Sequence, residues 1–260
     1  VGEIERRKDE VAESADTVFF GGGSPSYLEP DHLAPVFDSL RRSFTIDSDA
    51  EITVEINPSD LGRDIIPFLV DSGVNRFSMG VQTLDRELYA RIGRKGGFCT
   101  MELLDRYFSV HGVQHCVDII GGIQGQTPEM MIDELRTIIS YRPDHISLYM
   151  LTLEEGTPLA LRFKPDDGFD DEQKSALSAG IAFLKESGYE HYEISNYAMN
   201  GNYALHNMKY WTWSDYLGLG AASHSFMDGN RYANISDFKK YTADYLKYIE
   251  NDSRSRDNAM

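Results

Sequence analysis

Long hydrophobic runs are missing from this chain, and that absence is its first constraint. No apolar stretch nears the roughly 18 residues a membrane-crossing helix needs, and no basic segment followed by an apolar one marks an export signal. Positive charge is scarce: 25 Lys and Arg stand against 42 Asp and Glu, a formal net charge of −17. Such a surface repels nucleic acid phosphate and anionic lipid headgroups, so neither is expected as a main partner. Cysteine occurs only twice, as Cys99 and Cys116, in different predicted elements and without C-x-x-C spacing. A disulfide framework is therefore not expected, and a reducing, cytoplasmic setting is.

Lysine is absent from the stretch TVFFGGGSPSYL at residues 17–28, where three glycines follow an apolar run. That rules out the phosphate loop G-x-x-x-x-G-K-[ST], and a G-x-G-x-x-G frame fails because position 26 is Ser26. Glycine serves where backbone takes a positive φ or approaches another group closely. A third consecutive glycine points to a ligand lying against bare main chain, and one that is not a nucleotide phosphate.

What is present is a rhythm of strands and helices. With 260 residues, 41% of them apolar, the chain is long enough for one large α/β core. Strand-like runs recur as TVFF, ITVEI, RFSMGV, CVDII and HISLYML, with a shorter one expected in YEHYEIS at 189–195. Between them lie amphipathic segments. In HLAPVFDSLRRSF, Leu33, Val36, Phe37 and Leu40 recur at helical spacing, and Thr127 with Pro128 reads as a helix start. Ser175–Gly188 reads as a further helix. Such alternation predicts right-handed βαβ units on a parallel sheet, either an open barrel or a doubly wound sheet.

Each predicted strand ends in groups able to face a ligand. These are Gly21–Gly23, Glu55 and Asn57, Gln82, Asp118, and Tyr149 to Thr152. In a parallel barrel the C-terminal strand ends share one mouth, where substrates bind. Glu55 with glycine main chain suits an ammonium group, Asp118 suits ribose hydroxyls, and Arg94 suits a carboxylate. An amino acid joined to a nucleoside would satisfy them all, although spacing does not name it.

The ordered set GGGSPS, EINP, FSMGVQ, GR at 93–94, VDIIGGIQGQTPE, HISLYMLTLEEGTPL, YEHYEISNYA, HNMKYW and YLGLGAASHS resembles a known family. It is similar to the radical S-adenosylmethionine (SAM) proteins of the oxygen-independent coproporphyrinogen III oxidase group, nearest the HemW branch of heme chaperones. The resemblance spans about residues 16 to 240 and implies an α/β fold, an open partial (β/α)6 barrel. It implies a barrel over residues 1–200 and a closing segment over 201–260, leading to a further C-terminal domain. Gly21, Gly22, Gly23 and Ser24 would contact the methionine amino group of SAM. Glu55, Gln82, Arg94 and Asp118 would hold the same ligand, with Thr152 and His224 as further lining.

The family also carries a [4Fe-4S] cluster on a C-x-x-x-C-x-x-C loop after its first strand, which this chain lacks. It opens on Val1 inside a polar helical pattern and closes on the solvated NDSRSRDNAM. A piece of a longer protein is expected, with first strand and cluster cysteines upstream of Val1, the alternative being a relative that carries no cluster. The chain alone is expected neither to bind the cluster nor to cleave SAM. Gln124 and RKGGFCT depart from the family pattern, which there usually has Pro and a stretch that includes His.

Of seven histidines, His32, His111, His115, His145 and His191 show no partner spacing. His206 opens HNMKYW, and the resemblance implies a heme-binding role, with Tyr210 and Trp211 able to pack on a porphyrin. The alternative is that His206 and Asn207 cap a turn before an aromatic core strand. Two functions follow: heme binding and transfer, or oxidative decarboxylation of coproporphyrinogen III. The first is preferred on HNMKYW. Heme or porphyrin and an electron donor for the cluster are the expected partners.

Overall fold

RFSMGVQ alternates side chains that prefer an apolar interior with small or polar ones, and a strand sends alternate residues to opposite faces. In the computed structural model this run is β3 (Arg76–Gln82), with Phe77, Met79 and Val81 wholly buried while Ser78, Gly80 and Gln82 are half-buried on the other face. One face thus joins the core and the other is left for a ligand. The structure describes all residues except 12, 95, 163–168, 245–248 and 252–260.

The remaining elements follow in chain order. They are α1 (Gly2–Arg6), β1 (Ala15–Phe20), α2 (Pro30–Ser43), β2 (Ile46–Ile56), α3 (Ile65–Asp71), then β3, α4 (Arg86–Arg91) and α5 (Met101–Phe108). Next come β4 (Gln114–Gly121), α6 (Pro128–Ser140), β5 (His145–Met150), α7 (Pro158–Arg162), α8 (Phe169–Glu186), β6 (Glu190–His191) and β7 (Asn196–Ala198). The chain continues through α9 (Leu205–Thr212), β8 (His224–Met227), β9 (Asn230–Asn234), α10 (Phe238–Ala243) and β10 (Ile249–Asn251).

Contacts gather the chain into two units: Val1–Phe19, Pro30–Glu51 and Ala204–Met260 form the first, Phe20–Glu29 and Ile52–Tyr203 the second. The main sheet has the order β1-β2-β3-β4-β5-β7-β6, with β2 to β5 paired in parallel. Parallel neighbours joined through helices are the βαβ units expected from the strand rhythm.

In the second unit, Val117 and Ile119 of β4 join Phe77 and Met79 in the core, and Leu104, Leu135 and Ile138 are wholly buried on the helices. Each such side chain stabilises the fold by roughly 1.5–3 kcal/mol. Thr127 caps α6 as its sequence foretold, accepting from the Met130 N–H at 3.3 Å, with Pro128 in the first helical position.

Two local expectations differ. Within YEHYEIS only Glu190–His191 is a strand, β6; β7 lies just beyond the run and pairs antiparallel with both β6 and β5. A run so rich in aromatics fits either arrangement, and pairing with β5 decides. β2 also begins earlier than ITVEI, because its polar stretch IDSDAE continues the strand of the first unit.

The first unit carries its own three-stranded antiparallel sheet, ordered β10-β9-β8. Arg7, 1% exposed, donates to the Gly218 carbonyl at 3.0 Å and to the Tyr232 hydroxyl at 2.8 Å, while pairing with Glu10. A buried guanidinium needs such partners, and here they tie α1 to the segments around β8 and β9.

Candidate functional site

The C-terminal ends of β2 to β5 enclose a cavity of about 320 Å³, lined by Gly23, Ser24, Glu55, Asn57, Ser78, Gly80, Gln82, Arg94, Asp118 and Tyr149. All belong to the second unit. Register brings them together: Glu55 pairs with Ser78, Gly80 with Asp118, and Asp118 with Ser147. The size is at the lower end for small-molecule sites, and the lining is more polar than usual.

The glycine loop supplies the floor for a polar ligand. Gly22 and Gly23 both have φ +69°, and Ser24 continues the left-handed run at +64°. A Cβ on either glycine would meet nothing within 4 Å, so the space beside them is open to a ligand. The Gly22 N–H donates to Glu55 Oε2 at 2.9 Å, which joins the loop to the end of β2. Across the cavity the sheet register shifts between Gly80 and Gln82, and Gln82 takes φ +68°. A non-glycine residue in that region carries strain, and such strain gathers at binding sites. A Cβ at Gly80 would meet Gln82 Nε2 at 2.7 Å, so the end of the Gln82 side chain would have to shift.

Electrostatics distinguish the two carboxylates. Ser78 Oγ donates to Asp118, lying 3.1 and 3.0 Å from its two oxygens. Burial nevertheless pushes the Asp118 carboxyl up to about 6, with the nearby Glu55 charge adding and hydrogen bonds from Ser147 and Ser78 opposing. Burial of a carboxylate produces such a rise, which the Arg76 charge opposes only in part. Tyr149 is pushed up as well, by burial first and then by the Asp118 charge. The set offers acceptors for ammonium and hydroxyl groups and one guanidinium for a carboxylate. An amino acid joined to a nucleoside fits these residues.

Most of the sequence-predicted residues meet here, and three do not. Gly23, Ser24, Glu55, Gln82, Arg94 and Asp118 line the cavity, with Gly21 and Gly22 in the same loop. Thr152 lies outside the lining, exposed, its hydroxyl 3.5 Å from the Met150 carbonyl. His224 is exposed on β8 of the first unit. His206 likewise belongs to the first unit, on α9.

Sequence reasoning missed Ser78 and Ser147, which bond Asp118. The signal for Ser78 was available, because Ser78, Gly80 and Gln82 alternate with the apolar face of β3.

HNMKYW is helical, so it does not cap a turn before a core strand. Helix α9 starts at Ala204, which has no capping side chain. The carboxylate of Glu51, 7% exposed, takes its place, accepting from the Leu205 N–H at 2.9 Å and the His206 N–H at 3.0 Å. A carboxylate at a helix N-terminus also complements the helix dipole. The His206 ring stacks on Phe19 at 5.1 Å, with Nδ1 3.0 Å from Thr17 Oγ1 and Nε2 2.9 Å from the Tyr210 hydroxyl. Burial, with Lys209 nearby, pushes its pKa down to about 4. The imidazole is therefore neutral and fixed in orientation. Tyr210, Trp211 and Leu205 beside it are exposed apolar surface, at 46%, 49% and 52%.

The residues present do not fit an iron–sulfur cluster. Cys99 and Cys116 are both buried, burial pushes the Cys99 thiol up to about 12, and no group of three His, Cys, Asp or Glu that could hold a metal occurs among the described residues. No helix of the described residues is long and apolar enough to cross a membrane.

Comparison with known proteins gives a consistent picture. A family model described as the Radical SAM superfamily matches residues 1–138, more than half of the chain. The chain is 32% identical over 251 residues to a heme chaperone HemW of Lactococcus lactis, covering 92% of this chain and 64% of that protein. It is 35% identical over 219 residues to the Escherichia coli heme chaperone HemW, covering 82% and 57%. It thus spans less than two thirds of the length of these curated relatives. Among solved structures, coproporphyrinogen III oxidase (HemN) from E. coli matches with a TM-score of 0.80 at 24% identity, over 95% of this chain and 62% of that one. That likeness shows a shared fold, the open partial β/α barrel expected from the resemblance.

Proposed function

The chain belongs to the Radical SAM superfamily, and on that premise we propose that it binds SAM at the mouth of its second unit and binds heme for transfer to another protein. In this reading the glycine loop and Glu55 take the methionine amino group, Arg94 its carboxylate, and Asp118 the ribose hydroxyls, with Gln82 on the same rim. Bound SAM supplies a sulfonium group. The chain's own contribution is to orient it: Glu55 is tied to the loop through Gly22, and Ser78 holds the Asp118 carboxylate.

Heme is treated as cargo, carried by His206. The observation that carries this reading is the state of that imidazole: neutral, stacked and held through Nδ1 by Thr17. A metal-ligating histidine is oriented by what its other ring nitrogen bonds. Nε2 would take iron in place of the Tyr210 hydroxyl, and exposed Tyr210 and Trp211 offer apolar surface to a macrocycle. Two free, buried cysteines suit a reducing cytoplasm.

The test is a hemin titration of the chain and of His206→Ala, read at the Soret band. One equivalent bound by the parent, with at least a tenfold weaker apparent affinity in the variant, supports the proposal. No specific Soret shift in the parent would refute heme transfer.

A further inference from the structure

Ser26 of the glycine stretch remains unexplained by the cavity, because it is wholly buried and does not line it. Its hydroxyl donates to Asp60 Oδ2 at 2.6 Å. It also accepts from the N–H of Asn57, a cavity residue, at 3.4 Å. Asp60, 4% exposed, in turn holds Arg63, whose Nη1 lies 3.2 Å from its Oδ1. Arg63 then reaches back: Nη1 donates to the Ser26 carbonyl at 3.1 Å and Nη2 to the Tyr27 carbonyl at 3.2 Å. A fully buried hydroxyl, a buried carboxylate and a guanidinium thus converge on the two residues just beyond Pro25.

The loop they hold would otherwise be loose. Three glycines lose more conformational freedom on ordering than any other residues would. Gly22 and Gly23 have no neighbour within 4 Å of a Cβ position, so packing does not restrain them. Glu55 fixes the loop at Gly22, and the Ser26–Asp60–Arg63 cluster fixes it at the far end.

We infer that Ser26 and Asp60, with Arg63, are positioning residues that set the glycine loop for the amino-acid end of the ligand, so that discrimination for a ligand carrying that end depends on side chains outside the cavity. This rests on the reading that SAM binds with its methionine part against the loop. The adenosine end faces other residues, chiefly Asp118. Loosening the loop therefore weakens recognition of the amino-acid end and leaves that of the nucleoside end alone.

Calorimetric titration with SAM and with 5′-methylthioadenosine, which has the nucleoside and sulfur but no amino-acid group, tests this on the whole chain. The parent is expected to bind SAM at least tenfold more tightly. Ser26→Ala and Asp60→Ala should narrow that preference at least fivefold, with methylthioadenosine affinity held within twofold. Asp60→Asn, which still accepts from Ser26, should restore most of the preference. Ser26→Ala leaves the Asp60–Arg63 pair in place and keeps the test open if Asp60→Ala fails to fold. Variants that keep the parent's full preference, or lose both ligands equally, overturn the inference. A parent that binds SAM no better than methylthioadenosine overturns the underlying placement of methionine, and the inference with it.

Discussion

Asp118→Asn is expected to make the protein more stable and worse at binding its ligand, and the sign follows from the carboxyl's pKa. Burial, with Glu55 assisting, holds that carboxyl at about 6 in the folded chain, against an ordinary value of 3.8. An acid raised on folding contributes its full stabilisation below the unfolded value and loses it as pH climbs through the folded one. Each pH unit of difference is worth about 1.4 kcal/mol, so the ionised carboxylate costs about 3 kcal/mol at pH 8. Linkage leaves roughly half of that difference at pH 5. Asn keeps the shape, removes the charge and can still meet Ser78. Urea unfolding followed by circular dichroism should therefore show Asp118→Asn more stable by about 3 kcal/mol at pH 8, with the gain shrinking to about half by pH 5. The same variant should bind SAM more weakly, since a neutral amide replaces a charged acceptor. A variant less stable at pH 8, or a gain that does not change with pH, would refute the reasoning. A carboxylate kept at such a cost is what a binding role explains and a packing role does not.

Glu55→Ala removes the acceptor for the Gly22 N–H and the carboxylate offered to an ammonium group. Its SAM affinity should fall by roughly 1.5–3 kcal/mol in calorimetric titration, and unchanged affinity would place the ligand elsewhere. Glu51→Ala strips the first two N–H groups of α9 of both carboxylate oxygens, and Ala204 cannot replace them. It should destabilise the chain by about 1–2 kcal/mol in urea and weaken the hemin Soret response, because the start of the His206 helix frays.

The elements that share a chain segment with their own cause were readable from the residues. RFSMGV announced a strand as a short apolar run, and the structure places Gly80 and Gln82 opposite Phe77, Met79 and Val81 on it. Thr127–Pro128 announced the start of α6 with a cap only three residues long in reach. The glycine loop and the strand-end Glu55, Gln82 and Asp118 were legible as one mouth, because parallel strands deliver their C-terminal ends together.

What the residues alone left open depended on partners far away in the chain. HNMKYW is a helix because Glu51, more than 150 residues earlier, accepts its first N–H groups. Only two residues of YEHYEIS form a strand, because β7, just beyond the run, is the segment that finds β5 as an antiparallel neighbour. Ser26 explains itself only beside Asp60. By itself the sequence determined the main alternation of parallel strands and helices and which polar residues would stand at the strand ends, since periodicity and turn chemistry act locally. Tertiary structure alone decided the register that sets Asp118 between Gly80 and Ser147, the burial that raises its pKa, and the burial that keeps His206 neutral. Burial and long-range hydrogen bonds belong to the packed chain and to no short stretch of it.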